Sequence, residues 1–162
     1  MAAHPALRLA PIDRDNWRAA VAVEVAADQV RLVAGHQPVA LVILAKAYLG
    51  SGGLDWEPLA ITVAEPVGGP VVGVVALAHG PEHTELLHLA IDRSRQGQGL
   101  GSAAVGLLVA HVAATRPGSR QVRLTVHPDN ERAQRLYAGA GFAPTGQVRD
   151  GEPVWSLDLG RE

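Results

Sequence analysis

Apolar positions recur along this chain with two periods, and each switch between them marks an element. Arg8 to Ile12 reads as a short first strand. Asp13 then stands where a helix N-cap is wanted, ahead of an apolar stripe at Trp17, Ala20, Val21 and Val25. A second helix is predicted from about Pro38 to Tyr48, since proline is tolerated at the first helical position, and Gly50-Ser-Gly-Gly53 ends it. Leu59 to Ala64 reads as a strand, Glu65-Pro-Val-Gly-Gly-Pro70 as a turn, and Val71 to Ala78 as a buried strand.

A loop at His79 to Glu82 leads to a central strand from about Thr84 to Ile91. Beyond a glycine-rich turn, Leu100, Ala103, Ala104, Leu107, Leu108 and His111 recur at helical spacing, which predicts a helix over 99–115. Strand 121–127 puts Val122, Leu124 and Val126 on one face, and Asp129 or Asn130 caps a helix that runs to about Ala140. Phe142 to Arg149, the turn Asp150-Gly151 and Pro153 to Leu159 form a closing hairpin. The order β-α-α-β-β-β-α-β-α-β-β predicts one α/β domain over residues 1–162, built on a mixed sheet with about four helices.

Composition adds mainly exclusions. The formal net charge of -2 carries no basic excess for nucleic acid, and the longest apolar run, Pro38 to Lys46, is too short to span a membrane. Met1-Ala-Ala-His-Pro5 lacks the basic and apolar regions of a signal peptide, so a cytoplasmic location is expected. With no cysteine there is no disulfide framework and no thiol nucleophile. His79 and His83 have i, i+4 spacing, but Gly80-Pro81 between them breaks any helix. No metal site is expected, and His111 reads as a packed histidine.

The candidate chemistry lies where the central strand meets the glycine-rich turn. Strand, glycine turn and helix together grip an anion: glycines allow close approach, and the free N–H groups of the first helical turn point at it. Gln96-Gly-Gln-Gly-Leu-Gly-Ser102 fits neither G-x-G-x-x-G nor G-x-x-x-x-G-K-[ST]. Gln96, Gly99 and Gly101 instead fill the pattern Gln/Arg-x-x-Gly-x-Gly/Ala, and Asn130, Ala133, Leu136, Tyr137, Gly141 and Phe142 fill a second motif downstream. Over roughly residues 71–145 the chain resembles the GNAT superfamily of N-acetyltransferases.

That resemblance implies acetyl-CoA as co-substrate and a splayed strand pair in the sheet. The backbone of Leu89, Ala90 and Ile91 would hold the pantetheine arm in the splay. The N–H groups of Gln96, Gly97, Gln98, Gly99, Leu100, Gly101 and Ser102 would cradle the pyrophosphate, with Arg93 and Arg95 adding charge. Tyr137 would return a proton to the departing thiolate, and Asn130 would cap its helix and touch the cofactor. Glu85, eleven residues before Gln96, stands where several members keep the catalytic base; His83 or ordered water are the alternatives. Strand alternation puts His83 on the face of Glu85 and sends His88 the other way.

The acceptor implied is a small primary amine. Asp15-Asn-Trp17, Gln29 to Ala34 and Ala45 to Tyr48 resemble the bacterial spermine/spermidine acetyltransferases, so a polyamine is favoured. Such a pocket needs spaced carboxylates, for which Glu24, Asp28, Asp55, Glu57, Glu82 and Glu85 are available. A protein or peptide acceptor, and a non-catalytic acyl-CoA-binding module, are the rival readings. The resemblance also raises a homodimer, with the closing hairpin as the contact.

Overall fold

The alternating strands assemble into one seven-stranded sheet. A computed structural model describes residues 5–64 and 68–160. Its strands are β1 (Leu7–Pro11), β2 (Asp55–Val63), β3 (Val71–His79), β4 (His83–Ile91), β5 (Gln121–Thr125), β6 (Ala143–Arg149) and β7 (Glu152–Asp158). They lie in the order β1-β2-β3-β4-β5-β7-β6, antiparallel everywhere except between β4 and β5. The helices are α1 (Trp17–Val21), α2 (Val30–Val33), α3 (Val39–Leu49), α4 (Leu100–Thr115) and α5 (Glu131–Gly139).

Because strand side chains alternate, the sheet buries both faces. Leu59, Ile61, Val75, Leu77 and Leu86 face α4 and α5, where Leu100, Ala104, Val105, Leu108 and Tyr137 complete the core. Val74, Ala76 and Ala90 face the opposite way, onto Ala20, Val39, Ala40 and Ile43 of α1 and α3. No helix among the described residues is long and apolar enough to cross a membrane.

Local chemistry explains the departures from the expected elements. The helix expected through Val25 stops at Val21. Beyond it the chain is drawn onto the end of β4, where the Glu24 N–H donates to Asp92 and the Arg93 N–H to the Glu24 carbonyl. Asp13 does not cap α1; its carboxylate closes the preceding turn by accepting from the N–H groups of Asp15 and Asn16. Helix α2, absent from the expected order, is one turn long and too short for a periodic signal. Pro38 precedes α3 in extended conformation, and β2 begins at Asp55, ahead of the expected Leu59.

Pro58 is tolerated in β2 because the ladder with β1 ends at Leu59. Strand β5 stops at Thr125, two residues short of its expected end. Residues 65–67 of the expected turn after β2 lie outside the described residues. Asp150 and Gly151 both take positive φ, 52° and 80°, as a two-residue hairpin turn requires.

Two irregularities open the middle of the sheet. Strands β4 and β5 pair only from His83, Thr84 and Glu85 to Gln121, Val122 and Arg123, and then part. On its other edge β4 carries an extra residue, for Ala76 opposes Leu87 while Val74 opposes Ala90. His88 sits in that bulge with φ 57°, a left-handed conformation uncommon outside glycine.

Candidate active site

Where β4 and β5 part, a cavity of about 610 Å³ opens, lined by Leu89, Ala90 and Ile91, by the glycine turn, and by residues of α2, α5 and the start of β7. The edge of β4 that faces the gap has no strand partner beyond Glu85, so its backbone groups are available to a ligand lying in the gap.

One end of the cavity suits phosphate. Gly97 and Gly99 both take φ 77°, which turns the chain tightly into α4, and no side chain caps that helix. The first-turn N–H groups are therefore left for an anion, with the positive end of the helix dipole behind them. Gly97, Gly99, Leu100, Gly101 and Ser102 all line the cavity, whereas Gln98 does not. Gln96 lines it and also braces the turn. Its side-chain amide exchanges two 3.0 Å hydrogen bonds with Gln29 and donates to the Ile91 carbonyl at 2.9 Å. Asn130 lines the cavity while capping α5, accepting from the Ala133 N–H at 3.1 Å.

Of the two arginines singled out in the sequence, Arg95 lines the cavity, and Arg93 instead pairs with Glu24 at 3.6 Å. Arg31, Arg132 and Arg135 add positive charge that the motif spacing did not flag. The two on α5 are Arg132, in its first turn, and Arg135, one turn further along, which also pairs with Glu131 at 3.8 Å. Arg31 also reaches Asp129 at 3.3 Å, linking α2 to the loop before α5.

Tyr137 lines the cavity from α5, its ring edge-to-face on Phe142 with centroids 5.7 Å apart. Burial pushes its pKa well above the ordinary phenol value, so the phenol is neutral at pH 7. Glu85 is placed differently from a free base. It does not line the cavity, and Arg149 grips both carboxylate oxygens at 2.9 and 2.8 Å while His83 stands 3.2 Å away. Burial pulls the Glu85 pKa up, but the Arg149 hydrogen bonds and charge outweigh it and hold the carboxyl below its ordinary value.

His83 shares the face of Glu85 as alternation requires, but the bulge overturns the expectation for His88. Its ring turns towards α2 and α3, where Nδ1 donates to the Val33 carbonyl at 2.8 Å. Nε2 is then the acceptor for the Lys46 ammonium, also at 2.8 Å. Burial lowers the His88 pKa, with Lys46 adding to the effect, so the imidazole is neutral. Glu152, at the start of β7, shares this end of the cavity and acts electrostatically on His88. Nothing in a local pattern marks Glu152, because a hairpin 64 residues downstream of His88 brings it there.

His79 and His111 are committed elsewhere. His111 is not simply packed: its Nε2 meets one Glu57 oxygen at 2.8 Å, and the His79 Nε2 meets the other at 2.7 Å. Hydrogen bonding to His79 first, then to His111, carries the Glu57 pKa down to about 2 against the opposing effect of burial. Among the described residues no group of three or more such side chains is placed to hold a metal ion.

Residues 41–142 match the family described as "Acetyltransferase (GNAT) family". Mycothiol acetyltransferase of Kineococcus radiotolerans is 48% identical over 59 residues, covering 36% of this chain and 18% of that protein. A match to the Geodermatophilus obscurus protein of the same name covers 20% of that protein, so the chain matches about a fifth of the length of these relatives. A domain from Methanocaldococcus jannaschii superposes with TM-score 0.75 at 15% identity, over 96% of this chain and all of that one. Spermidine N-acetyltransferase from Vibrio cholerae, solved with CoA and spermine, gives 0.71 at 14% identity over 94% and 95%. At those identities the two structures attest the fold alone, and the sequence match over more than half of the chain attests descent: this chain belongs to the GNAT acetyltransferase family.

Proposed function

We propose that this chain is an acetyl-CoA-dependent N-acetyltransferase that acts on the primary amine of a small molecule by direct attack in a ternary complex. One observation carries the reading: an unpaired strand edge leads from the bulge at His88 straight to an uncapped helix start rimmed by Arg95, Arg132 and Arg135. A strand-like arm ending in a pyrophosphate matches that layout in shape and charge. Acetyl-CoA bound there would supply the activated thioester.

The residues divide the remaining work. Leu89, Ala90 and Ile91 offer backbone partners to the arm, and the N–H groups from Gly97 to Ser102 hold the phosphates. Tyr137, a neutral phenol in the cavity wall, supplies the proton that the leaving thiolate needs. The presence of that donor favours turnover over mere binding of an acyl-CoA. Glu85, bound at both oxygens by Arg149, serves better as a clamp between β4 and β6 than as a base, which leaves ordered water to take the ammonium proton.

The polyamine expectation gains little from the cavity, since none of its six candidate carboxylates lines it. Release of free CoA, followed with a thiol reagent across spermidine, spermine, aminoglycosides, amino acids and a short peptide, tests the activity. Acetyl-CoA-dependent release with any small amine supports it. Absence of acetyl-CoA binding by calorimetry removes the cofactor assignment.

A further inference from the structure

The charges at the acceptor end of the cavity point to a narrower substrate class, an inference that rests on the acetyltransferase reading. Glu152 is the one carboxylate lining the cavity among the described residues. Four of the six acidic side chains that could have served a polycation are occupied, and the other two, Asp28 and Glu82, do not line the cavity. Glu24 pairs with Arg93, Asp55 with Arg116, Glu57 lies between two histidines, and Arg149 holds Glu85. The Lys46 ammonium already stands 2.8 Å from His88, so one positive charge is in place before any amine enters.

A cation drawn into this partly enclosed space needs a matching anion, or it pays for its lost hydration. Glu152 can match one ammonium. A second, farther along the cavity, would meet the arginines of the phosphate end. Around the Glu152 end the wall is uncharged: Leu32, Val33, Ala34 and Gly35 on and after α2, and Leu87 on β4.

We propose that Glu152 selects the acceptor, and that the acceptor is a monoamine whose single ammonium pairs with Glu152 while its apolar body lies along the segment from Leu32 to Gly35. Polyamines are then poor acceptors, despite the likeness of the first third of the chain to polyamine acetyltransferases.

The test compares phenethylamine, which has one cation on an apolar body, with spermidine at saturating acetyl-CoA. The wild-type chain should show kcat/KM for phenethylamine at least about tenfold above that for spermidine. Glu152→Gln keeps the shape and removes the charge. It should raise the phenethylamine KM by about tenfold, with kcat within roughly threefold. Glu152→Asp should restore part of the loss. Preference for spermidine, or an unchanged KM in Glu152→Gln, overturns the proposal.

Calorimetry with acetyl-CoA and with the two amines in the presence of CoA keeps the failures apart. If the wild type does not bind acetyl-CoA, the acetyltransferase reading itself falls. If acetyl-CoA binds but phenethylamine is neither bound nor turned over, this proposal alone is overturned. A thermal melt confirms that Glu152→Gln is folded.

Discussion

Arg149 on β6 closes a two-pronged ion pair on Glu85 of β4, with contacts of 2.9 and 2.8 Å, across a sheet in which two other strands stand between them. The Glu85 side chain is 3% exposed, while that of Arg149 is 44% exposed. Removing one partner of a fully enclosed pair costs about 3–5 kcal/mol, but water can replace part of a half-exposed guanidinium. Arg149→Ala should therefore destabilise the fold by about 2 kcal/mol in urea unfolding. Glu85→Gln should lower the melting temperature while kcat at saturating acceptor falls by less than about fivefold. A hundredfold loss of kcat in the folded Gln variant would make Glu85 the proton acceptor instead.

Beside the bulge, β3 and β4 approach so closely that a glycine is required at position 73. A Cβ on Gly73 would lie 2.6 Å from the Ala90 carbonyl oxygen, so alanine there must push β4 away from β3. Overpacking of this kind costs about 1–3 kcal/mol. Because Ala90 belongs to the strand edge facing the cavity, Gly73→Ala should weaken acetyl-CoA binding as well as stability. Calorimetry on the folded variant checks this; unchanged affinity would mean that the arm does not use this edge.

Two half-buried groups contribute in separate pH ranges to how stability should respond to acid. His88 has a folded pKa below its ordinary 6.5, so folding resists its protonation. The stability tied to its neutral form is complete above pH 6.5 and is lost as pH falls below it. Glu57 is ordinarily near 4.5 and about 2 when folded, so its contribution is present above 4.5 and disappears between there and about 2. Thermal melts should show two declines, one beginning near pH 6.5 and one near 4.5. His88→Asn, which tolerates a left-handed backbone, should blunt the first and leave the second. Glu57→Gln should shrink the second, leaving the share that Glu85 and Asp92 contribute through their own lowered pKa values.

What could be read in advance was whatever lies close together in sequence. Gln96, Gly99 and Gly101 occupy one turn, and Asn130 and Tyr137 one helix, so fixed spacing carries their geometry. Partnerships across the fold left no such trace. Glu85 and Arg149 are 64 residues apart, and no local pattern distinguishes Arg149 from any other hairpin arginine. Glu152 fails for the same reason. Alternation gives His88 the wrong direction because it assumes a regular strand, and the bulge that reverses it is set by pairing with β3. For Glu24, Asp55, Glu57 and Glu85, residue type and region say nothing of use, which is decided by pairing to Arg93, Arg116, two histidines and Arg149.

Tyr137 offers the most direct check on mechanism, because its two roles separate in one substitution. The ring packs edge-to-face on Phe142 within the core, and only the hydroxyl is available for proton transfer. Phenylalanine keeps the ring, so Tyr137→Phe should leave the melting temperature nearly unchanged. A positioned general acid contributes about 10²–10⁴-fold, and kcat should fall by about a hundredfold or more. Acetyl-CoA affinity by calorimetry should stay within roughly twofold, since the phosphates and the arm are held by other groups. The thiol is the leaving group, so an acyl donor with a more acidic thiol needs less help from an acid. The defect should therefore shrink with such a donor, and an equal defect with both donors would place the loss in binding geometry rather than in proton delivery.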